Sequence, residues 1–227
     1  KFTSPEKITN TRVEDIDVRL LDDSFNDITD KIGKFTTPSC GNLKIVPSYH
    51  KLVKIFNLCK KQACTGGGPY SVSPCISFQY VPDGCYARAH KMRYIIEELC
   101  GYCSHKVFSF AIGADDLAVR ANFVGGCCVQ WWYHVAPIVP VRTKHGRIRC
   151  YVIDPSMFNK PVLLTEWLAA QENTSCTANA NVTKYSIQPS TAFWPSAYGN
   201  TTSFDTDPNY LLTNQYLLAY QNGVTCN

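Results

Sequence analysis

The chain has 227 residues, 45% hydrophobic and 18% charged, with a formal net charge of +4. That length suits one domain with a sizeable core, and 11 Phe, 13 Tyr and 4 Trp at so low a charge exclude disorder as the general state. No apolar run approaches the roughly 18 residues of a membrane-spanning helix, so a soluble protein is expected; the polar start Lys1-Phe2-Thr3-Ser4-Pro5 implies that any signal peptide has been removed.

Residues 1–43 carry eight acidic and six basic side chains, which leaves 16 basic and 10 acidic ones, a net of +6, for the rest. They read as an acidic N-terminal extension, either solvated or laid against a basic body, ahead of one domain at 44–227. From Tyr49 to Cys64 the apolar positions Tyr49, Leu52, Val53, Phe56 and Cys59 recur at helical spacing, and the helix stops at Thr65-Gly66-Gly67-Gly68-Pro69. The alternating run Cys75 to Tyr80 predicts a short strand, broken by Pro82-Asp83-Gly84, and Cys85 to Cys100 predicts a helix with Ala89, Met92, Ile96 and Leu99 on one face. Strands are predicted at Val107 to Ile112, at Cys127 to Val141 (one bent or two) and at Arg147 to Ile153. A short helix follows at Leu163 to Gln171, and the tail reads as polar loop with an apolar piece at Tyr216 to Tyr220. Helices first and strands after make an α+β domain with an antiparallel sheet flanked by helices. No internal repeat is visible.

The 12 cysteines indicate an oxidised, secreted protein stapled by disulfides. Three N-glycosylation sequons, at Asn173, Asn181 and Asn200, fit exposed loops. Cys100-Gly101-Tyr102-Cys103 has redox-dithiol spacing but ends a helix instead of starting one, so structural bridges are expected there. Adjacent Cys127 and Cys128 point to opposite sides of a strand and should bridge to different partners. A single Cys-x-x-Cys is too little for a zinc site, the glycine run lacks the Lys-Ser/Thr of a phosphate loop, and no basic stripe with interleaved aromatics marks a nucleic-acid surface.

Asp83 is placed to cap a helix that opens at Cys85, where free backbone N–H groups and the helix dipole favour a thiolate and could donate to an oxyanion. A thiolate nucleophile needs a base with a third group to orient it. Of the five histidines, His90 lies five residues after Cys85, about 140° around the helix, and diverges from it. His145 sits beside Gly146 in a predicted turn, and His50 and His105 have no chemical context. His134 lies on a half-buried strand, and Asp154 follows 20 residues later at the end of the next one, where antiparallel neighbours can meet. Cys85, His134 and Asp154 are therefore the candidate triad. Strand parity places Gln130 and Trp132 on the face of His134 and points Trp131 and Tyr133 the other way, which makes Trp132 a candidate cleft wall or a core aromatic.

The stretch Ser73-Pro74-Cys75-Ile76-Ser77-Phe78, then Asp83-Gly84-Cys85-Tyr86-Ala87-Arg88-Ala89-His90-Lys91-Met92-Arg93, resembles bacterial protein-glutaminase. The likeness continues through Cys127-Cys128-Val129, Trp131, Tyr133-His134-Val135-Ala136, Ile153-Asp154-Pro155-Ser156-Met157-Phe158 and Asn173-Thr174-Ser175-Cys176, over about residues 44–227. The resemblance implies a papain- or transglutaminase-like core and a secreted amidohydrolase that converts protein-bound glutamine to glutamate and ammonia through a Cys thioester. Its nucleophile, base and orienting carboxylate match Cys85, His134 and Asp154. It implies no cofactor or metal, protein or peptide substrates, a monomer, and no nucleic-acid or membrane partner. Transglutamination, a peptidase and a non-enzymatic disulfide-rich binding module are the alternatives; the papain signature around the nucleophile is absent. Gln79, six residues before Cys85, has the spacing of the oxyanion glutamine of papain-like proteases. Relatives made with a pro-region that occupies the cleft leave residues 1–43 open as a remnant of one or an elaboration. With Cys85 kept as a thiol, eleven cysteines allow at most five bridges and one odd thiol. Cys64–Cys75 is the expected bridge across the glycine loop, and Cys40, Cys59, Cys100 and Cys150 are expected as additional staples.

Overall fold

The structure is a computed structural model that describes residues 39–65, 70–121 and 125–223. The extension up to residue 38 and most of the glycine loop, 66–69, lie outside the described residues. Helix α1 (Tyr49–Lys60) starts where Ser48 accepts a hydrogen bond from the Lys51 N–H at 3.2 Å, and it buries Leu52, Ile55, Phe56 and Cys59 along one face. Helix α2 (Cys85–Tyr94) runs into a π-helical turn, Ile95–Leu99. The expected strand at Cys75 to Tyr80 does not form. Ile76 makes a single parallel bridge to Ala63, and the Cys64–Cys75 disulfide with the Phe78 N–H donating to the Ile76 carbonyl turns the chain before a ladder can extend.

The strands are β1 (His105–Phe110), β2 (Leu117–Ala121), β3 (Cys127–Trp131), β4 (Tyr133–Arg142), β5 (Ile148–Val152), β6 (Val162–Leu163), β7 (Lys184–Pro189), β8 (Ala192–Pro195) and β9 (Phe204–Thr206); α3 (Leu164–Ala169) follows β6 and α4 (Leu211–Ala219) follows β9. The central sheet is antiparallel in the order β6-β5-β4-β1-β7, with β2-β3 and β8-β9 as separate ribbons. This is the expected α+β architecture, although β2 and β6 were not among the predicted strands, and β7, β8, β9 and most of α4 lie in the tail that reads as polar loop. One face of the sheet packs Phe108, Phe110, Val135 and Val139 against α1 and α2, and the other packs Val107, Ala136, Ile138 and Val152 against α3 through Trp167. Full burial of each such side chain contributes roughly 1.5–3 kcal/mol, so the two clusters clamp the middle strands, β1 and β4, from both sides.

Three disulfides, Cys40–Cys103, Cys64–Cys75 and Cys128–Cys176, are formed, and Cys127 is also disulfide-bonded. Cys40 is therefore a staple as expected, but Cys59, Cys100 and Cys150 are thiols, like Cys85. Cys59 and Cys150 are packed into the two hydrophobic clusters, where burial pushes both thiols up, Cys150 to about 12. The Cys40 bridge, with the Lys44 N–H donating to the Gly101 carbonyl, ties the chain into the body from residue 40 onward.

Candidate active site

The nucleophile candidate opens α2. Gly84 precedes it at φ +82°, a left-handed conformation that L side chains rarely adopt, and a Cβ there would meet the Tyr220 ring at 2.8 Å. Asp83 does not cap the helix through its side chain, contrary to expectation. Its carboxylate instead organises the approach: it accepts from the Gly84 N–H at 2.6 Å, from the Tyr220 hydroxyl at 2.9 Å and from the Tyr86 hydroxyl at 3.2 Å. Beneath the loop, the buried Arg88 guanidinium donates to the carbonyls of Tyr80 and Asp83 at 2.6 and 2.7 Å. Tyr220, just past α4, also stacks on Tyr80 with centroids 3.9 Å apart. The C-terminal helix thus braces the turn that aims Cys85, a role that nothing in the local sequence signals.

His134 stands near the start of β4 and Asp154 just past the end of β5. The ladder pairs Ile138 with Val152, so its register continues to place residue 154 opposite 136 (138 + 152 = 136 + 154), a diagonal neighbour of His134 on the same face. His134 Nε2 lies 2.8 Å from Asp154 Oδ2, and both residues are buried. Asp154 Oδ2 also accepts from Trp167 Nε1 at 3.0 Å. Burial alone would lower the His134 pKa, but the Asp154 charge and hydrogen bond, with a further contribution from the neighbouring Cys85, push it up to about 9. For Asp154, burial works upward and is outweighed by His134, Trp167 and Arg88, which hold the carboxyl below its ordinary value. With Nε2 committed to Asp154, the buried Nδ1 makes no hydrogen bond, and Cys85 is among the groups near enough to act on the ring. Cys85 itself is 6% exposed.

Trp131, not Trp132, covers the imidazole. The strand breaks at Trp132 between β3 and β4, which resets the parity; the Trp131 ring stacks on His134 at 4.6 Å and 11°, and Trp167 stacks on it at 5.5 Å. Trp132 contacts Phe110 and Tyr198 instead. Two indole faces on one imidazole favour its cationic form. Burial, then the charges of Cys85 and Tyr86, push the Tyr133 phenol well up. Sequence reasoning missed Tyr133, Trp131 and Trp167 because their roles depend on the break at Trp132 and on α3 packing across the sheet. Gln79 is partly buried, its Oε1 has no partner, and Gly223 lies against its Cβ.

The other histidines lie elsewhere. His90 accepts from Lys106 Nζ at 2.7 Å through Nδ1 and donates from Nε2 to the Asp207 carbonyl at 3.1 Å, and burial next to Lys106 drives its pKa down to about 2. His50 and His145 line a basic cavity. His105 sits 3.8 and 3.7 Å from the sulfurs of Cys40 and Cys103. Those three residues have metal-ligand spacing, but a disulfide offers no thiolate, so the set does not fit a resident metal.

The sequence profile of a family described as Glutaminase matches residues 52–171. No curated protein matches the sequence. Among solved structures, protein-glutaminase is 34% identical with a TM-score of 0.69, over 82% of this chain and 93% of that one. The solution structure of protein-glutaminase from Chryseobacterium proteolyticum is 36% identical with a TM-score of 0.68, over 81% and 92%. A mutant of pro-protein-glutaminase is 35% identical with a TM-score of 0.71; it aligns with 86% of this chain, which spans 66% of its length. With a family match across more than half of its length and relatives above 30% identity over nearly their whole chains, this protein belongs to the glutaminase family that includes protein-glutaminase.

Proposed function

We propose that the protein hydrolyses the side-chain amide of glutamine in peptides and proteins, releasing ammonia, with Cys85 as nucleophile, His134 as acid and base, and Asp154 as the orienting carboxylate. The observation that carries this reading is the buried row in which Asp154 holds His134 Nε2 and leaves Nδ1 to Cys85, in a chain of the glutaminase family. The Cys85 sulfur attacks the γ-carboxamide carbon while the imidazolium of His134 holds the thiol proton. The tetrahedral oxyanion lies by the backbone N–H groups that open α2. His134 Nδ1 gives its proton to the departing nitrogen, ammonia leaves, and a thioester remains on Cys85. His134 then takes a proton from water, the hydroxide attacks the thioester carbon, and glutamate departs as the sulfur regains its pairing with the imidazolium. Three disulfides among the described residues fit an extracellular bacterial enzyme.

Casein tests the reading. Ammonia release without covalent polymers is the expected result, with a loss on the order of 10⁴-fold or more in Cys85→Ala. Cross-linked casein would reassign the thioester to transfer onto amines, and activity that survives Cys85→Ala would overturn the mechanism.

A further inference from the structure

At the end of the sheet away from Cys85, the start of α1 and the β4–β5 hairpin enclose a cavity of about 500 Å³. Its position follows from β4, which carries His134 near one end and Arg142 at the other; ten residues of strand span roughly 30 Å. The volume is that of a small-molecule site. Four cations line it, Arg142, Lys144, Arg147 and Arg149, and no carboxylate does. The two stretches that build it, 39–82 and 117–153, contain no Asp or Glu. Glu166 is the acid felt at its rim, through the field that adds to burial in raising the Tyr49 phenol.

The walls are fixed without a ligand. The hairpin pairs Arg142 with Ile148 and Val141 with Arg149, and its turn is closed by the Thr143 N–H donating to the Arg147 carbonyl at 2.7 Å and the Gly146 N–H to Thr143 at 3.0 Å. The Arg142 N–H donates to the Val46 carbonyl at 2.8 Å, which anchors the hairpin to the segment leading into α1. The first turn of α1 has no acidic residue, and Ser48 caps only the Lys51 N–H. The positive end of that dipole therefore adds to the four cations. Of these, Arg142, Lys144 and Arg147 gather like charge on a rigid concave wall, which raises the local potential for an anion.

We infer that this cavity binds a small polyphosphate, a ligand carrying two or more adjacent phosphoryl groups, independently of the amidase site. Arginine forks match phosphoryl oxygens bidentately, and a compact polyphosphate brings several negative charges into this volume. An acidic peptide spreads its carboxylates over an extended surface. The strongest such competitor is the chain's own stretch 14–30, which holds seven acidic residues against Arg19.

Titration calorimetry of the full chain with tripolyphosphate, near physiological salt, tests the site. The expected result is saturation at one ligand per chain, with binding about tenfold or more weaker in Arg142→Gln/Arg147→Gln. Both arginines are exposed, so the variant should fold and release ammonia from a glutaminyl peptide at the wild-type rate. Lys144→Gln, in the turn, should show a smaller loss in the same direction. Adenosine triphosphate separates the sources: equal affinity assigns the phosphate chain alone, and tighter binding adds the Tyr49–Tyr151 pair, 5.0 Å apart, as a platform for the base. Absence of saturation, binding indifferent to the double substitution, or equal binding of citrate or an oligoglutamate would overturn the inference.

Discussion

Asp154→Asn separates the charge of Asp154 from its shape. Asparagine keeps an acceptor oxygen for His134 Nε2 and Trp167 Nε1, which both donate to one carboxylate oxygen in the native site, so the row should remain assembled. What is lost is the field that, against burial, lifts His134 from 6.5 to about 9. At 1.36 kcal/mol per pH unit that rise is worth roughly 3 kcal/mol in favour of the imidazolium. Burial without the carboxylate takes the ring below 6.5, so this is a lower bound. The kcat/KM for ammonia release should therefore fall by two to three orders of magnitude, and the alkaline limb of its pH profile should move from near 9 to below 6.5. Stability should report the same group. A raised histidine contributes fully below its unfolded pKa and loses that contribution as pH rises through about 9, so the wild-type Tm should decline between those values and the variant should lack the decline. Asp154, held low, gives the opposite limb: its contribution is present above the ordinary carboxyl range and is lost only in acid. A variant that keeps more than a tenth of the activity, or whose alkaline limb stays near 9, would refute the assignment of Asp154 as the source of the imidazolium.

Two further substitutions probe the frame around the row. Gly84→Ala forces an L side chain to φ +82° and drives a Cβ to 2.8 Å from the Tyr220 ring, so urea unfolding should show a loss of at least about 1–2 kcal/mol together with reduced ammonia release; unchanged stability would mean that the turn relaxes freely. The Cys40–Cys103 bridge spans 63 residues, and loop-closure entropy assigns it about 4 kcal/mol; Cys40→Ser/Cys103→Ser should lose most of that in urea, whereas a loss below about 1 kcal/mol would show that residues 39–46 are held by their hydrogen bonds alone.

The placement of Cys85 at the opening of a helix was legible because a proline–aspartate–glycine break followed by a helical period has one economical reading. The meeting of His134 and Asp154 was legible because a separation of 20 residues across a hairpin brings two strand positions together. Both features are short-range or one pairing deep. Asp83 was misread for a reason of the same kind: its local spacing fits a cap, but Tyr220, 137 residues away, and Tyr86 take its carboxylate. Trp132 was misassigned because parity assumes an unbroken strand. The strands β7 to β9 lie in a region rich in Ser, Thr and Asn, where propensity favours loops and only pairing with β1 and packing under Phe108 decide otherwise.

Where the staples lie bears on how a disulfide-stapled fold can keep Cys85 as the proposed nucleophile. None of the three bridges joins residues of the proposed catalytic row, yet each holds an element that leads to it: Cys75 stands ten residues before Cys85, Cys128 three before Trp131, and Cys103 just ahead of β1, which pairs with the strand of His134. The other three described thiols are raised by burial, and the charge of Cys100 adds to that effect on Cys59. A raised thiol presents little thiolate, the form that attacks carbonyls and disulfides alike. Cys85 differs in its neighbours, a hydrogen-bonded imidazole whose cation is stabilised by Asp154 and two indoles. On the proposed mechanism, disulfide formation and acyl chemistry are thus assigned to different cysteines of one set by their surroundings, and the Asp154–His134 pair beside Cys85 is the feature the other described thiols lack.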